Sequence, residues 1–406
     1  MKKLWTRDFS ILTIGSIVSV FGNTLIGFAI NLIVLDYSNS VFLFVLYRVI
    51  YNIPRILAPM FAGPLLDSFS RRKTAYTLDF VSAALYLSLF FILGGGYFNY
   101  IFFLAMSLIL GTVDSVYLVA YESLFPILVS EGNFRKAYSV SSMILPLSTF
   151  MLPVATFLYE SVGIGYIFVI SAIAFFVAAC FETQIRVDET HIRKDTERYN
   201  FAEFRTSLRE GLEYIKGEKG LLVITVYFFI STFSYSYNAL ILPYFKDNPS
   251  LGVMMFSLIM SCTVIGRLVG GAVQYKLDYP KDKKFNIALI VYISICLIEG
   301  GYLFTHPYAM AILCFLSGLL AVTSYNIRLS TTQSYIPDAK RARFNGTFQM
   351  IMNTGMILGQ LISGALADIM PIRAVVILYN AISFVAAFGI MWRGRRHVKL
   401  VYNRKV

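Results

Sequence analysis

GPLLDSFSRRKT, residues 63–74, decides the fold. An apolar run, 41–66, ends at Asp67; Arg71, Arg72 and Lys73 follow, and another apolar run begins at once. Two hydrophobic stretches split by a short cationic loop read as two membrane-crossing helices. The cations cannot enter hydrocarbon, so they pin the loop to one side. Gly63 and Asp67 are four residues apart and share a helix face. A glycine there admits a neighbouring helix closely, and the carboxylate sits where hydrocarbon gives way to water, within reach of a cation or a helix N-terminus.

The same pattern continues in both directions. Of 406 residues, 57% are hydrophobic and only 14% charged, fewer charges than soluble domains carry. Twelve runs are each long enough for about 30 Å of hydrocarbon: 9–35, 41–66, 75–94, 100–122, 137–159, 164–182, 220–243, 251–275, 285–304, 307–330, 343–366 and 372–392. The run 9–35 exceeds a signal-peptide core and is expected to remain as the first span. The cysteines (Cys180, Cys262, Cys296 and Cys314) all fall in predicted spans without ligand spacing, so they read as small apolar fillers rather than disulfide or metal residues.

The net charge of +12 is distributed by topology. The tails and the loops expected on the same side hold 28 Lys and Arg; the opposite loops hold 2, Lys246 and Arg373. This asymmetry predicts cytoplasmic termini in a multi-pass cell-membrane protein, and it explains the basic balance without nucleic acid. The longest hydrophilic stretch, 183–219, divides the spans six and six. Within it Phe201, Phe204, Leu208, Leu212 and Ile215 recur at helical spacing, which predicts an amphipathic helix on the inner membrane surface. The expected organisation is therefore a six-helix bundle at 1–182, a cytoplasmic linker at 183–219, and a second bundle with its tail at 220–406.

The halves repeat one another. IPRILAPMFAGPLLD, 53–67, parallels IGRLVGGAVQYKLD, 265–278, matching Arg55 with Arg267 and Asp67 approximately with Asp278. FPILVSEGNFRKA, 125–137, parallels YIPDAKRARFNG, 335–346. A parallel six-span repeat is the plan of a two-bundle transporter with its substrate site between the halves. The fold class expected is thus all-α and polytopic, twelve transmembrane helices in two pseudo-symmetric bundles.

The spacing G-x-x-x-D-x-x-x-R-R over Gly63, Asp67, Arg71 and Arg72, between the second and third spans, resembles the signature of the major facilitator superfamily, with Ser70 where many members have Gly. Asp79 in RRKTAYTLDF, the loop FPILVSEGNFRKA, Pro153 in MLPVATFLY and LREGLEYI at 208–215 resemble its macrolide-efflux-like branch of twelve-span drug exporters. That resemblance implies proton-driven export of amphipathic small molecules by alternating access, with the signature residues steadying one conformation. The fifth span lacks the Gly-Pro-x-x-Gly-Gly run of many antiporters, and the fourth lacks their Arg. The partners implied are a small-molecule substrate, protons and the lipid bilayer, around a monomer.

Ionisable residues inside spans face cavities or partners. The basic ones are Arg48, Arg55, Arg267 and Arg328; the acidic ones are Asp79, Asp114 and Glu299. Arg48, Tyr51, Asn52 and Arg55 share one face of a helix that also carries Pro54 and Pro59, which fits a gating stripe or an interhelical hydrogen-bond network. Asp114 and Glu299 are the proton-coupling candidates, and Arg328 aligns at the depth of Asp114 in the opposite half. Asp79, six residues beyond Lys73, reads as a partner of the basic loop. Asn23 and Asn31, Tyr235 and Asn238, and Gln349 and Asn353 form polar stripes that either line a cavity or bond neighbouring helices. His191, His306 and His397 build no paired-His metal motif, and no Walker loop or nucleophile elbow occurs. Neither an enzyme nor a cofactor or metal is expected. The other readings that survive are export of an anionic metabolite and a non-transporting membrane sensor or scaffold.

Overall fold

The computed structural model describes the backbone of all residues except 1–3, 39, 131–132, 134–135, 138–139, 142–143, 145–147, 149, 188–200, 277–278 and 405–406; within it, the side chains of 58–68, 201–204, 207, 275–276, 338–339 and 342 are excluded. The chain forms two compact units, residues 1–200 and 201–406.

The first unit contains α1 (Arg7–Ser38), α2 (Val41–Ser68), α3 (Arg71–Gly94), α4 (Tyr100–Leu128), α5 (Leu152–Val162) and α6 (Ile164–Glu182). Its helices begin where polar caps precede apolar runs. Ser40, Ser70 and Asn99 each accept a backbone N–H of the first turn, from Leu43, Lys73 and Phe102. The capping bond gives Ser70, the departure from the usual signature glycine, a local role. α6 packs against α1 and α3, and α2 against α4. Gly111 permits the last contact: a Cβ there would lie 2.1 Å from the Tyr51 carbonyl oxygen.

The second unit contains α7 (Phe201–Gly217), α8 (Lys219–Tyr235), a 3-10 turn (Ser236–Leu240), α9 (Ile241–Lys246), α10 (Gly252–Lys276), α11 (Lys284–Gly301), α12 (Pro307–Tyr335), α13 (Asp338–Ala367), α14 (Ile372–Ala386) with a π-helical end (Ala387–Trp392), and α15 (Arg395–Tyr402). α10 and α12 interlock. A Cβ on Gly266 would lie 2.0 Å from the Phe315 carbonyl oxygen, and one on Gly318 would lie 2.0 Å from that of Thr263. Thr263 is the repeat equivalent of Tyr51, so in both units the carbonyl at this position meets a glycine of the neighbouring helix. Between lipid-facing helices such contact replaces the hydrophobic driving force that water supplies elsewhere.

The amphipathic helix of the hydrophilic stretch is α7, and it docks on its own unit. Arg343 of α13 pairs with Glu210 at 2.5 Å, and Lys340 lies 4.6 Å over the Tyr214 ring. Burial pushes the Tyr214 phenol up, with Glu218 adding to the effect. α15 folds back as well, burying Val398, Val401 and Tyr402, and the Tyr402 and Tyr292 hydroxyls share a 3.0 Å hydrogen bond.

Ten helical segments among the described residues are long and apolar enough to cross a membrane. Their bounds track the hydropathy runs. Of the other two expected spans, 41–66 is the 28-residue helix α2, while 137–159 is described in part, with its end in α5. Asp278, the expected match to Asp67, also lies outside it.

Candidate functional site

A cavity of about 590 Å³ opens in the first unit, lined by α1, α2, α4 and the residues Ser141 and Ile144. Its polar lining is Ser16, Ser19, Asn23, Arg55, Tyr117, Tyr121, Glu122 and Ser141; Val20, Leu118, Phe125 and Ile144 supply apolar surface. Apolar walls with a few converging polar groups suit a small amphipathic ligand.

Two acidic centres lie behind this lining, the first half-buried and the second buried. Asp114 accepts a short hydrogen bond from the Tyr51 hydroxyl, Asn23 reaches the same carboxylate, and the Arg55 charge acts on it. The helices explain the convergence. Tyr51 and Arg55 are one turn apart on α2, and Gly111, three residues before Asp114, brings α4 against Tyr51. The second centre joins Asp79 and Glu182. Ser19 donates to Asp79 at 2.8 Å, and Tyr117 donates to Glu182 at 2.8 Å. Asp79 therefore bonds α1, not the basic loop beside it in sequence.

Among the described residues the second unit holds one comparable centre. Glu299 accepts from Ser317 at 2.6 Å and from Tyr237 at 2.8 Å, with the Arg267 charge nearby. Arg55 and Arg267, matched by the internal repeat, thus each stand near a half-buried carboxylate in their own unit. Arg328 sits among aromatic rings, 4.9 Å from Phe228, 5.2 Å from Phe348 and 5.4 Å from Tyr325.

The remaining polar candidates divide. Asn52 donates to its own helix at the Arg48 carbonyl, and Arg48 lies 5.9 Å over Phe44. Gln349 bonds Asn353 at 3.0 Å along α13. Asn31 and Asn238 are half-buried and Tyr235 is exposed. In the signature loop, Arg71 donates to the Ser123 carbonyl at 3.2 Å and Arg72 to that of Ile185, tying α3 to the ends of α4 and α6. Gly63 and Asp67 lie in α2, with side chains outside the description. Glu182 and Glu122 escape a reading of the sequence because each stands near a span end, where water is the default neighbour. One signal was available for Glu182: a carboxylate in a last helical turn opposes the helix dipole. Among the described residues, no group of three His, Cys, Asp or Glu gathers as a metal site.

Comparison with known proteins agrees with this architecture. Residues 12–337 match the family model of the Major Facilitator Superfamily. Over 238 residues the chain is 25% identical to the uncharacterized MFS-type transporter YkuC of Bacillus subtilis, covering 56% of this chain and 54% of that protein. The chain thus spans about half the length of this curated relative. Two solved structures share the fold. The nucleoside transporter NupG superposes with TM-score 0.71 at 14% identity, covering 95% of this chain and 98% of that one. The peptide transporter POT in complex with sulfate gives 0.71 at 12% identity, covering 98% and 96%.

Proposed function

From the premise that the chain belongs to the Major Facilitator Superfamily, we propose that it is a proton-coupled exporter of a small amphipathic compound, working by alternating access with twelve spans in two six-helix bundles. The observation that carries this reading is the part-apolar cavity of the first unit with Asp114 directly behind its lining residues Asn23 and Arg55. Asp114 carries the coupled proton. In hydrocarbon surroundings a carboxylate is costly as an anion unless donors and a cation attend it. Tyr51, Asn23 and Arg55 are those attendants in the structure. A conformational change that moved Arg55 or Tyr51 away would favour uptake of the proton, and their return would favour its release. Binding of proton and cargo to different states of one equilibrium is the linkage an antiporter requires.

In this scheme Arg55 is the counter-charge of Asp114, while Arg328 remains a candidate only for another conformation. The residues quoted for the macrolide-efflux-like branch support export over import, and the 28-to-2 asymmetry supports cytoplasmic termini in the cell membrane. The test is flux in proteoliposomes under an imposed pH gradient. Substrate movement against its own gradient, with counterflow of protons, is the expected result; absence of any gradient-dependent flux across a broad compound panel overturns the transport reading in favour of a sensor or scaffold.

One observation favours a second reading of the cargo. Arg55 lines the cavity, so a compound bearing an anionic group gains a partner there. Arg55→Gln then weakens an anionic compound more than a neutral analogue; equal losses return Arg55 to the role of counter-charge alone.

A further inference from the structure

The Asp79–Glu182 centre is not used by the proton scheme above. Asp79 of α3 is 2% exposed and Glu182 of α6 is 1% exposed. The two carboxylates lie within electrostatic reach of each other. Among the described residues neither takes part in an ion pair. Ser19 and Tyr117 each satisfy one oxygen, but Glu182 Oε2 is buried with no hydrogen-bond partner. Glu182 also ends α6, where the helix dipole is negative. Two buried carboxylates, an orphaned oxygen and a helix C-terminus together call for a positive charge, and none pairs with them among the described residues.

The available donors are all oxygens: two carboxylates and two hydroxyls. That set is hard, and its size and charge suit a proton or Na⁺ better than a thiophilic or imidazole-preferring metal. Ser19 and Tyr117 line the cavity and touch the carboxylates, so they form the path between the two.

We propose that Asp79 and Glu182, with the hydroxyls of Ser19 and Tyr117, bind one small monovalent cation, H⁺ or Na⁺, drawn from the cavity. Binding converts a doubly anionic buried pair into a singly charged one and ties α1, α3, α4 and α6 together through one ion. The site is separate from Asp114, so it stands or falls independently of the coupling scheme.

Purified protein in lipid nanodiscs is unfolded by heat at constant ionic strength. One series exchanges choline for Na⁺ or K⁺ at fixed pH; another spans about pH 5.5 to 8.5 in choline alone. If the ion is Na⁺, the unfolding temperature rises by several degrees with Na⁺ and not with K⁺. If it is a proton, the temperature falls as pH rises and Na⁺ has no effect. Other titratable groups around Asp79 are Asp114, Tyr86, Tyr117 and Tyr121. Asp114→Asn must therefore retain the response, while Glu182→Gln, neutral and close in shape to the protonated acid, must lose it. Tyr117→Phe removes a ligand without altering charge and raises the cation concentration for half-maximal stabilisation about tenfold; it decides the matter alone if Glu182→Gln does not fold. Stability indifferent to both cations in the wild type, or a response left unchanged by these two variants, overturns the proposal. Neither readout depends on flux.

Discussion

Asp114 and its neighbours separate two roles that a carboxylate within a span can play. If its bond to Tyr51 only holds α2 to α4, neutral Asn in its place keeps that bond and keeps transport. If it carries the coupled proton, Asp114→Asn abolishes uphill movement while downhill exchange of substrate persists, because exchange needs no change of protonation. Counterflow and uphill flux measured on the same proteoliposomes check this; full uphill transport by the variant excludes the site and directs attention to Glu299. Tyr51→Phe keeps the ring and removes the donor, so it is expected to slow uphill flux by roughly tenfold, the cost of one hydrogen bond to a charged group, without blocking exchange. The signature residues act locally too. Arg71 and Arg72 grip backbone carbonyls at the ends of α4 and α6. Replacing either with Lys substitutes a point charge for a planar fork and loosens that end of the unit, measured as faster proteolysis of the adjoining loop.

Among the elements, close backbone contacts set the limits of tolerance. Gly318→Leu places a side chain where the Thr263 carbonyl already stands. The expected cost is about 1–3 kcal/mol or more, with the helices forced apart; a thermal scan of the purified variant should show it, whereas Gly346→Ala, where a Cβ meets nothing, should match the wild type. The extents of the helices were legible in the sequence because the bilayer fixes how long an apolar run must be and where charge returns. The polar centres were legible in part. Asp114 and Glu299 stood out as charges within apolar runs, and the repeat paired Arg55 with Arg267. Glu182 was hidden because its burial depends on α1 and α3 packing over the end of α6, a contact between residues more than a hundred positions apart. The linker helix was visible in its periodicity, but nothing local told that Arg343 would hold it to the second unit through Glu210.

At the scale of the whole molecule, the charge asymmetry makes a prediction independent of any site. In a background lacking the native cysteines, Ser250→Cys and Lys283→Cys lie in exposed turns expected on opposite sides of the membrane. An impermeant thiol reagent added to intact cells should label position 250 and spare 283; the reverse pattern would invert the topology and with it the direction assigned to the carrier.

The interlocked glycines of α10 and α12 have a mechanical consequence. Two rods that touch backbone to backbone at Gly266 and Gly318 have no soft layer between them to shear. They travel as a single spar through any cycle, and the flexure of the second unit is left to places where the helical ladder is already broken: the 3-10 turn at Ser236–Leu240 and the π-helical stretch at Ala387–Trp392. A covalent staple across the spar leaves turnover intact, and stiffening either joint stalls it.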